Sequence, residues 1–111
     1  MERGERVYKT NCAACHQSSG QGIAGAFPPL AKSDFLNAGK IRAIETVLQG
    51  RQGKLIVNGQ EFNGVMPSWS LSDDEIANLL TYIYNNWGNS GKEVSQEDVQ
   101  IHRVKKGGAP D

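Results

Sequence analysis

Cys12-Ala13-Ala14-Cys15-His16 is the stretch on which the reading of this chain turns. Two cysteines separated by two residues, with a histidine directly after the second, form the attachment sequence of c-type haem. The spacing follows from the chemistry. Each thiol adds to one of the two vinyl groups on the porphyrin edge, and the adjacent histidine then lies under the ring as an axial ligand of the iron. On this reading the chain carries one covalent haem c and handles electrons, with Cys12, Cys15 and His16 as its attachment and ligand residues.

Cys-x-x-Cys alone also serves zinc sites and thioredoxin-like redox pairs. A structural zinc site needs four nitrogen or sulfur ligands, yet the chain has two cysteines, and its other histidine, His102, is far along the sequence. A thioredoxin-like pair should follow a strand and open a helix within an alternating β/α pattern, and none is visible. A Cys12–Cys15 disulfide would close a very short loop and constrain the unfolded chain little.

The sixth position of the iron decides what such a haem does. A methionine there raises the potential and suits electron transfer, whereas an open position suits gas binding or peroxide chemistry. Apart from Met1, the chain has one methionine, Met66, in Asn63-Gly64-Val65-Met66-Pro67-Ser68-Trp69. The flanking glycine and proline predict a loop that brings the thioether to the metal. The competing reading is a flexible core filler.

Over positions 4 to 88 the chain resembles a class I cytochrome c domain. Gly4 and Tyr8 precede Cys12 as the glycine and aromatic of that family's first helix do. Pro28, in Phe27-Pro28-Pro29-Leu30, stands twelve residues after His16. The resemblance implies that its carbonyl accepts from the other ring nitrogen of the ligand histidine. It also implies that Leu30 packs on the haem, that Met66-Pro67 is the distal ligand with its following proline, and that Leu79, Tyr82 and Ile83 cross the first helix. The expected fold is all-α, with three to five helices around one haem and a short β-hairpin before the methionine loop. The expected role is one-electron transfer between redox partners, without catalysis by the domain itself. The stretches around Pro28, Met66 and Leu71-Ser72-Asp73-Asp74-Glu75-Ile76 are similar in particular to the C-terminal haem domain fused to some copper nitrite reductases. That likeness implies a denitrification or respiratory reductase as source or partner, free or fused, and a periplasmic location as a mature form or excised domain. An open-site haem protein binding a gas or peroxide is the alternative.

Bulk composition agrees with one small domain. Of 111 residues 38% are hydrophobic, with 13 glycines and 4 prolines, so the protein core alone is marginal. A buried haem adds a large apolar surface to pack on, and the apo chain is expected to fold poorly. Twelve basic and twelve acidic residues cancel, which gives no reason to expect a nucleic-acid partner and no strong steering field. No apolar run is long enough for a transmembrane helix, and no signal peptide is visible. Nothing in the sequence sets the oligomeric state.

Residues 3 to 15 predict the first helix, with Val7 and Tyr8 inward. Residues 16 to 33 read as loop, where Gly20, Gly22 and Gly25 either let the backbone turn close to the porphyrin or supply plain flexibility. Residues 40 to 49 predict an amphipathic helix with Ile41, Ile44, Val47 and Leu48 near one face. Asn58-Gly59 between short apolar runs predicts a two-residue hairpin turn. Ser72 and Glu75 form a capping box before the stripe Ile76, Leu79, Leu80, Ile83, with Gly88 as the stop. Residues 1 to 91 are assigned to the domain and 92 to 111 to a polar extension, in which residues 95 to 104 form a short helix packing Val99 back and the terminal residues are mobile. His102 reads as a surface histidine. Trp69 either packs at the haem edge and reaches a propionate with its ring N–H or serves as a core aromatic. Trp87 reads as helix-end packing. Arg51 or Lys54 either pairs with a propionate or is solvated surface charge.

Overall fold

The computed structural model describes residues 2–23, 26–66 and 70–107, with side chains described through Arg103. Gly25, Pro67, Trp69 and the terminal residues 108–111 lie outside the described residues, and with them the expectations placed there. The described elements are α1 (Glu2–Asn11), α2 (Ala13–His16), α3 (Asp34–Asn37), α4 (Lys40–Gln49), β1 (Arg51–Val57), β2 (Gln60–Met66), α5 (Asp73–Tyr84) and α6 (Gln96–Gly107). Together the described residues make a mainly helical fold: six helical segments, two of them a single turn, and one antiparallel hairpin.

The crossing of α1 on α5 organises the fold. Gly4 and Tyr8, one turn apart, are the buried residues of α1. A Cβ on Gly4 would lie 2.0 Å from the Asn78 carbonyl oxygen and 2.8 Å from Tyr82 Cβ. Backbone cannot swing aside, so any larger residue would force the helices apart. The first helix is shorter than the 3–15 expected from the sequence. It breaks at Cys12 and resumes for one turn, because the His16 N–H bonds the Cys12 carbonyl at 2.9 Å while Gln17 turns to a φ of 70°.

Ser72 and Glu75 close their capping box at the start of α5, an arrangement that contributes about 1 kcal/mol. Ile76, Leu79, Leu80 and Ile83 are all buried. The helix ends at Tyr84, earlier than the stop expected at Gly88. The reason is a run of asparagine amides that capture last-turn carbonyls. Asn85 Nδ2 donates to Thr81 O, Asn86 Nδ2 to Tyr82 O and Asn89 Nδ2 to Ile83 O. Gly20 faces this corner with a φ of +70°, and a Cβ there would meet the Trp87 ring at 2.6 Å. Glycine at this position is therefore a packing requirement rather than simple slack.

In α4, Ala43, Ile44 and Val47 are buried, but Ile41 is 52% exposed. At 100° per residue Ile41 falls at the edge of the buried arc, not within it. The hairpin is longer than the apolar runs suggested. Seven residue pairs run from Arg51↔Met66 to Val57↔Gln60, and Asn58 and Gly59 turn the corner at φ 52° and 80°. Reciprocal bonds of 2.9 Å between Asn58 and Asp34, each backbone N–H to the other's side-chain oxygen, pin this turn to the start of α3. Met66 is the last residue of β2 and not part of a loop as expected, because the ladder continues through Gly53↔Gly64 to Arg51.

The C-terminal segment is built into the same core. Val94 and Val99 are 3% and 0% exposed and belong to the buried cluster of α1, α4 and α5. Thr81 Oγ1 donates to Val94 O and accepts from Val94 N. Ser95 and Asp98 exchange bonds of 3.0 Å at the start of α6, and Lys40 Nζ reaches Asp98 at 2.9 Å. His102 is half-buried, its Nδ1 shielded from solvent. It is therefore not the surface histidine expected, because α6 lies against the domain rather than trailing from it.

The Ser95 backbone N–H, followed by the Lys40 ammonium, holds the Asp98 carboxyl down at about 2. A depressed folded value means that this stabilisation is complete above the unfolded carboxylate range, about 3.9, and disappears as pH falls toward 2. Asp98→Asn is expected to lower the thermal midpoint at pH 6 and to flatten the acid loss between pH 4 and 2. Melts of both proteins across that range check it, and parallel curves would remove Asp98 from the account.

Candidate functional site

An apolar cleft of about 1270 Å³, counted with its open mouth, runs between the Cys12–His16 turn and the inner face of the hairpin. Cys12, Cys15, His16, Pro28, Leu30 and Met66 all line it. The structure therefore gathers six of the seven residues singled out from the sequence on one cavity, and the seventh, Trp69, lies outside the described residues.

Helix α1 delivers Cys12 at its end, and the single turn α2 presents Cys15 and His16. Tyr8 anchors that turn from below, its hydroxyl donating to the Gln17 carbonyl. Tyr8 also stands in an aromatic trio with Tyr82 and Trp87, at centroid distances of 5.9 and 5.1 Å. Tyr82 thus faces α1, whereas Leu79 and Ile83 of the same helix face the cleft. Trp87 packs at the helix end as its position suggested.

His16 is buried, and its Nδ1 lies 2.8 Å from the Pro28 carbonyl oxygen. A carbonyl only accepts, so Nδ1 carries the proton and Nε2 keeps the lone pair. Burial lowers the His16 pKa, partly opposed by the Pro28 carbonyl, and the ring stays neutral as a metal ligand must. Cys12 and Cys15 are free thiols, the first buried and the second exposed. Burial, with Cys15 beside it, pushes the Cys12 thiol up to about 11. Among the described residues no three His, Cys, Asp or Glu side chains converge as for a metal ion, which leaves the zinc reading without partners.

The hairpin forms the opposite wall, and its alternation accounts for the side chains that take part, with the exposed Val65 as the exception. Gly53, Leu55 and Val57 of β1 and Phe62, Gly64 and Met66 of β2 share the inner face. Gly53 and Gly64 stand opposite each other, and a Cβ on either would meet nothing within 4 Å. The wall is bare at that point, leaving room for a flat ring. With two free thiols, a neutral imidazole and a thioether all lining one apolar cleft, these residues fit a covalently attached haem. The same alternation separates Arg51 from Lys54. Arg51 lines the cleft and lays its guanidinium 5.0 Å from the Phe35 ring centroid, with Arg42 at 4.5 Å from the same ring. Lys54 is exposed and lies 3.9 Å from Glu61. The wall residues Leu55, Val57 and Phe62 and the cleft-mouth Phe35 were missed in the sequence reading, although the period-two spacing of Leu55 and Val57 was a usable signal.

A sequence profile of the family described as cytochrome c matches residues 1–87. The chain is 42% identical over 108 residues to cytochrome c-552 of Thermus thermophilus, covering 93% of this chain and 82% of the relative. It is 38% identical over 97 residues to the cbb3-type cytochrome c oxidase subunit CcoP of Azospirillum sp. (strain B510), covering 79% of this chain and 29% of the relative. It is 31% identical over 110 residues to the cytochrome c subunit of a quinone alcohol dehydrogenase of Gluconobacter oxydans (strain 621H), covering 96% of this chain and 23% of the relative.

Proposed function

Since the chain belongs to the cytochrome c family, a single-haem electron carrier, we propose that His16 and Met66 are its two axial ligands and that it serves a respiratory oxidoreductase. The observation that carries the ligand assignment is the pair itself: a neutral, carbonyl-anchored imidazole and a thioether on one apolar cleft. The haem supplies a one-electron couple between ferrous and ferric iron. The protein's part is to hold both ligands still and to keep water away. Pro28 fixes the His16 ring and raises its basicity. The seven-pair ladder holds Met66 at the end of β2. Neither residue has to move when charge changes, so reorganisation is small. A soft thioether favours the ferrous state and lifts the potential.

Cys12 and Cys15 tether the ring edge, and Pro28 and Leu30 pack against it. Two of the three relatives named above carry an oxidase or a dehydrogenase name, which favours the respiratory half of the expectation, and none of the three names is that of a nitrite reductase. The partner is thus a redox subunit or fused domain that docks weakly and briefly. The periplasm is the location this reading assigns, because bacterial haem attachment at such a motif takes place outside the cytoplasm. Among the described residues no helix is long and apolar enough to cross a membrane.

Stopped-flow mixing of the reduced holoprotein with ferricyanide and, separately, with hydrogen peroxide tests the carrier against the open-site alternative. Fast single-electron oxidation by ferricyanide with sluggish peroxide reaction is expected. Rapid peroxide turnover would favour an open iron and remove Met66 from it.

A further inference from the structure

The last helix runs back to the start of α5, a few residues downstream of Met66, and Arg103 joins the two. Arg103 Nε donates to Asp73 Oδ1 at 2.6 Å, and its Nη2 donates to the Leu71 carbonyl at 2.8 Å. Leu71 lies five residues after Met66 and just before the cap of α5. The Arg103 and Asp73 side chains are 41% and 22% exposed, so the clasp is partly shielded from water. We propose that Arg103 is a positioning residue for Met66: it fixes the downstream end of the methionine segment and so sets how readily the thioether yields its place to another ligand. The inference rests on Met66 being the sixth ligand.

The upstream side of Met66 is secured by its own strand. The Arg51↔Met66 pair closes the ladder, and the Asp34–Asn58 bonds pin the far turn. The downstream side is secured differently. The capping box joins Ser72 to Glu75 within the start of α5. Arg3 approaches Asp74 at 3.5 Å, but both side chains are open to solvent, and such pairs hold little. Arg103 bonds across 30 and 32 residues of chain, with one planar group gripping a carboxylate and a carbonyl together. The arm that carries it is stiff. Ser95, Asp98 and Lys40 fix the start of α6, and Val99 is fully buried beneath it. The family profile ends at residue 87, so this restraint comes from chain beyond the part that the profile shares.

A thioether held only from upstream leaves the iron more often, and an added ligand captures that minor state. The test is an imidazole titration of the ferric holoprotein, followed by loss of the weak far-red sulfur-to-iron band. Exchange breaks the iron–sulfur bond and forms an iron–nitrogen bond, with no change of oxidation state. Arg103→Ala is expected to raise imidazole affinity about tenfold, equivalent to about 1.4 kcal/mol of lost restraint. Arg103→Lys keeps the charge but not the fork, and should raise it by a smaller factor. It supplies the comparison if the alanine variant does not fold. Asn86→Ala, which removes a bond to the Tyr82 carbonyl at the far end of α5, should lower thermal stability and leave imidazole affinity within twofold of the parent. Unchanged affinity in both Arg103 variants, or an equal rise in Asn86→Ala, would overturn the proposal. A parent protein with no far-red band would instead overturn the ligand reading, and this inference with it.

Discussion

Replacing Met66 with alanine is expected to turn an inert six-coordinate haem into one that binds carbon monoxide stoichiometrically when reduced. The potential should fall as well, by a sizeable part of the roughly 0.8 V range over which axial ligands place haem potentials. The direction follows from the thioether, which is soft and stabilises ferrous iron more than ferric. The fold should survive the change. Met66 ends an edge of a ladder whose other pairs do not involve its side chain, and the α1–α5 crossing lies elsewhere. Spectra with carbon monoxide and a redox titration of the variant check both effects. An unchanged potential with no carbon monoxide binding would exclude Met66 as ligand.

The second large effect is expected from Cys12→Ser with Cys15→Ser. In the parent, haem should stay on the chain through denaturation and acid extraction. In the double variant nearly all of it should leave. A covalent tether spares the roughly 4–15 kcal/mol of translational and rotational freedom that association otherwise costs. Without it, occupancy depends on free haem, and the thermal midpoint becomes concentration-dependent. The consequence for the fold is severe because the cleft walls double as core. Leu36, Val57, Phe62, Leu79, Leu80 and Ile83 line the cavity and are buried at the same time. Emptying it leaves those side chains with no facing atoms. The double variant without added haem should lose most of its cooperative melt. Retention of a sharp transition there would show that the protein core suffices alone.

The features legible in the sequence were the local ones. The Cys12–His16 motif, the Ser72–Glu75 capping box and the Asn58-Gly59 turn each lie within a few residues, where chemistry and backbone geometry are read directly. Val99 was legible as an apolar residue of a short helix in an otherwise polar tail, and it is fully buried. The hairpin's first half was not, because Arg51-Gln52-Gly53-Lys54 carries no apolar alternation. Its inward glycine serves by having no side chain, which leaves no hydrophobic signal. That omission also misplaced Met66 in a loop. The end of α5 was misread because asparagine amides, rather than Gly88, satisfy its last carbonyls. The Arg103 clasp and the Phe35 stack with Arg42 and Arg51 depend on which distant elements meet, and no pattern along one chain encodes that. The site was thus readable where it is covalent chemistry and unreadable where it is tertiary support.

If His16 and Met66 hold one covalent haem c closed to other ligands, the visible spectrum must show it. Spectra of the purified holoprotein, oxidised and then reduced, with and without carbon monoxide, are the first measurement. Sharp low-spin c-type bands, a weak far-red sulfur-to-iron band in the oxidised form and indifference to carbon monoxide are the expected result. A high-spin spectrum that shifts on adding carbon monoxide would contradict it.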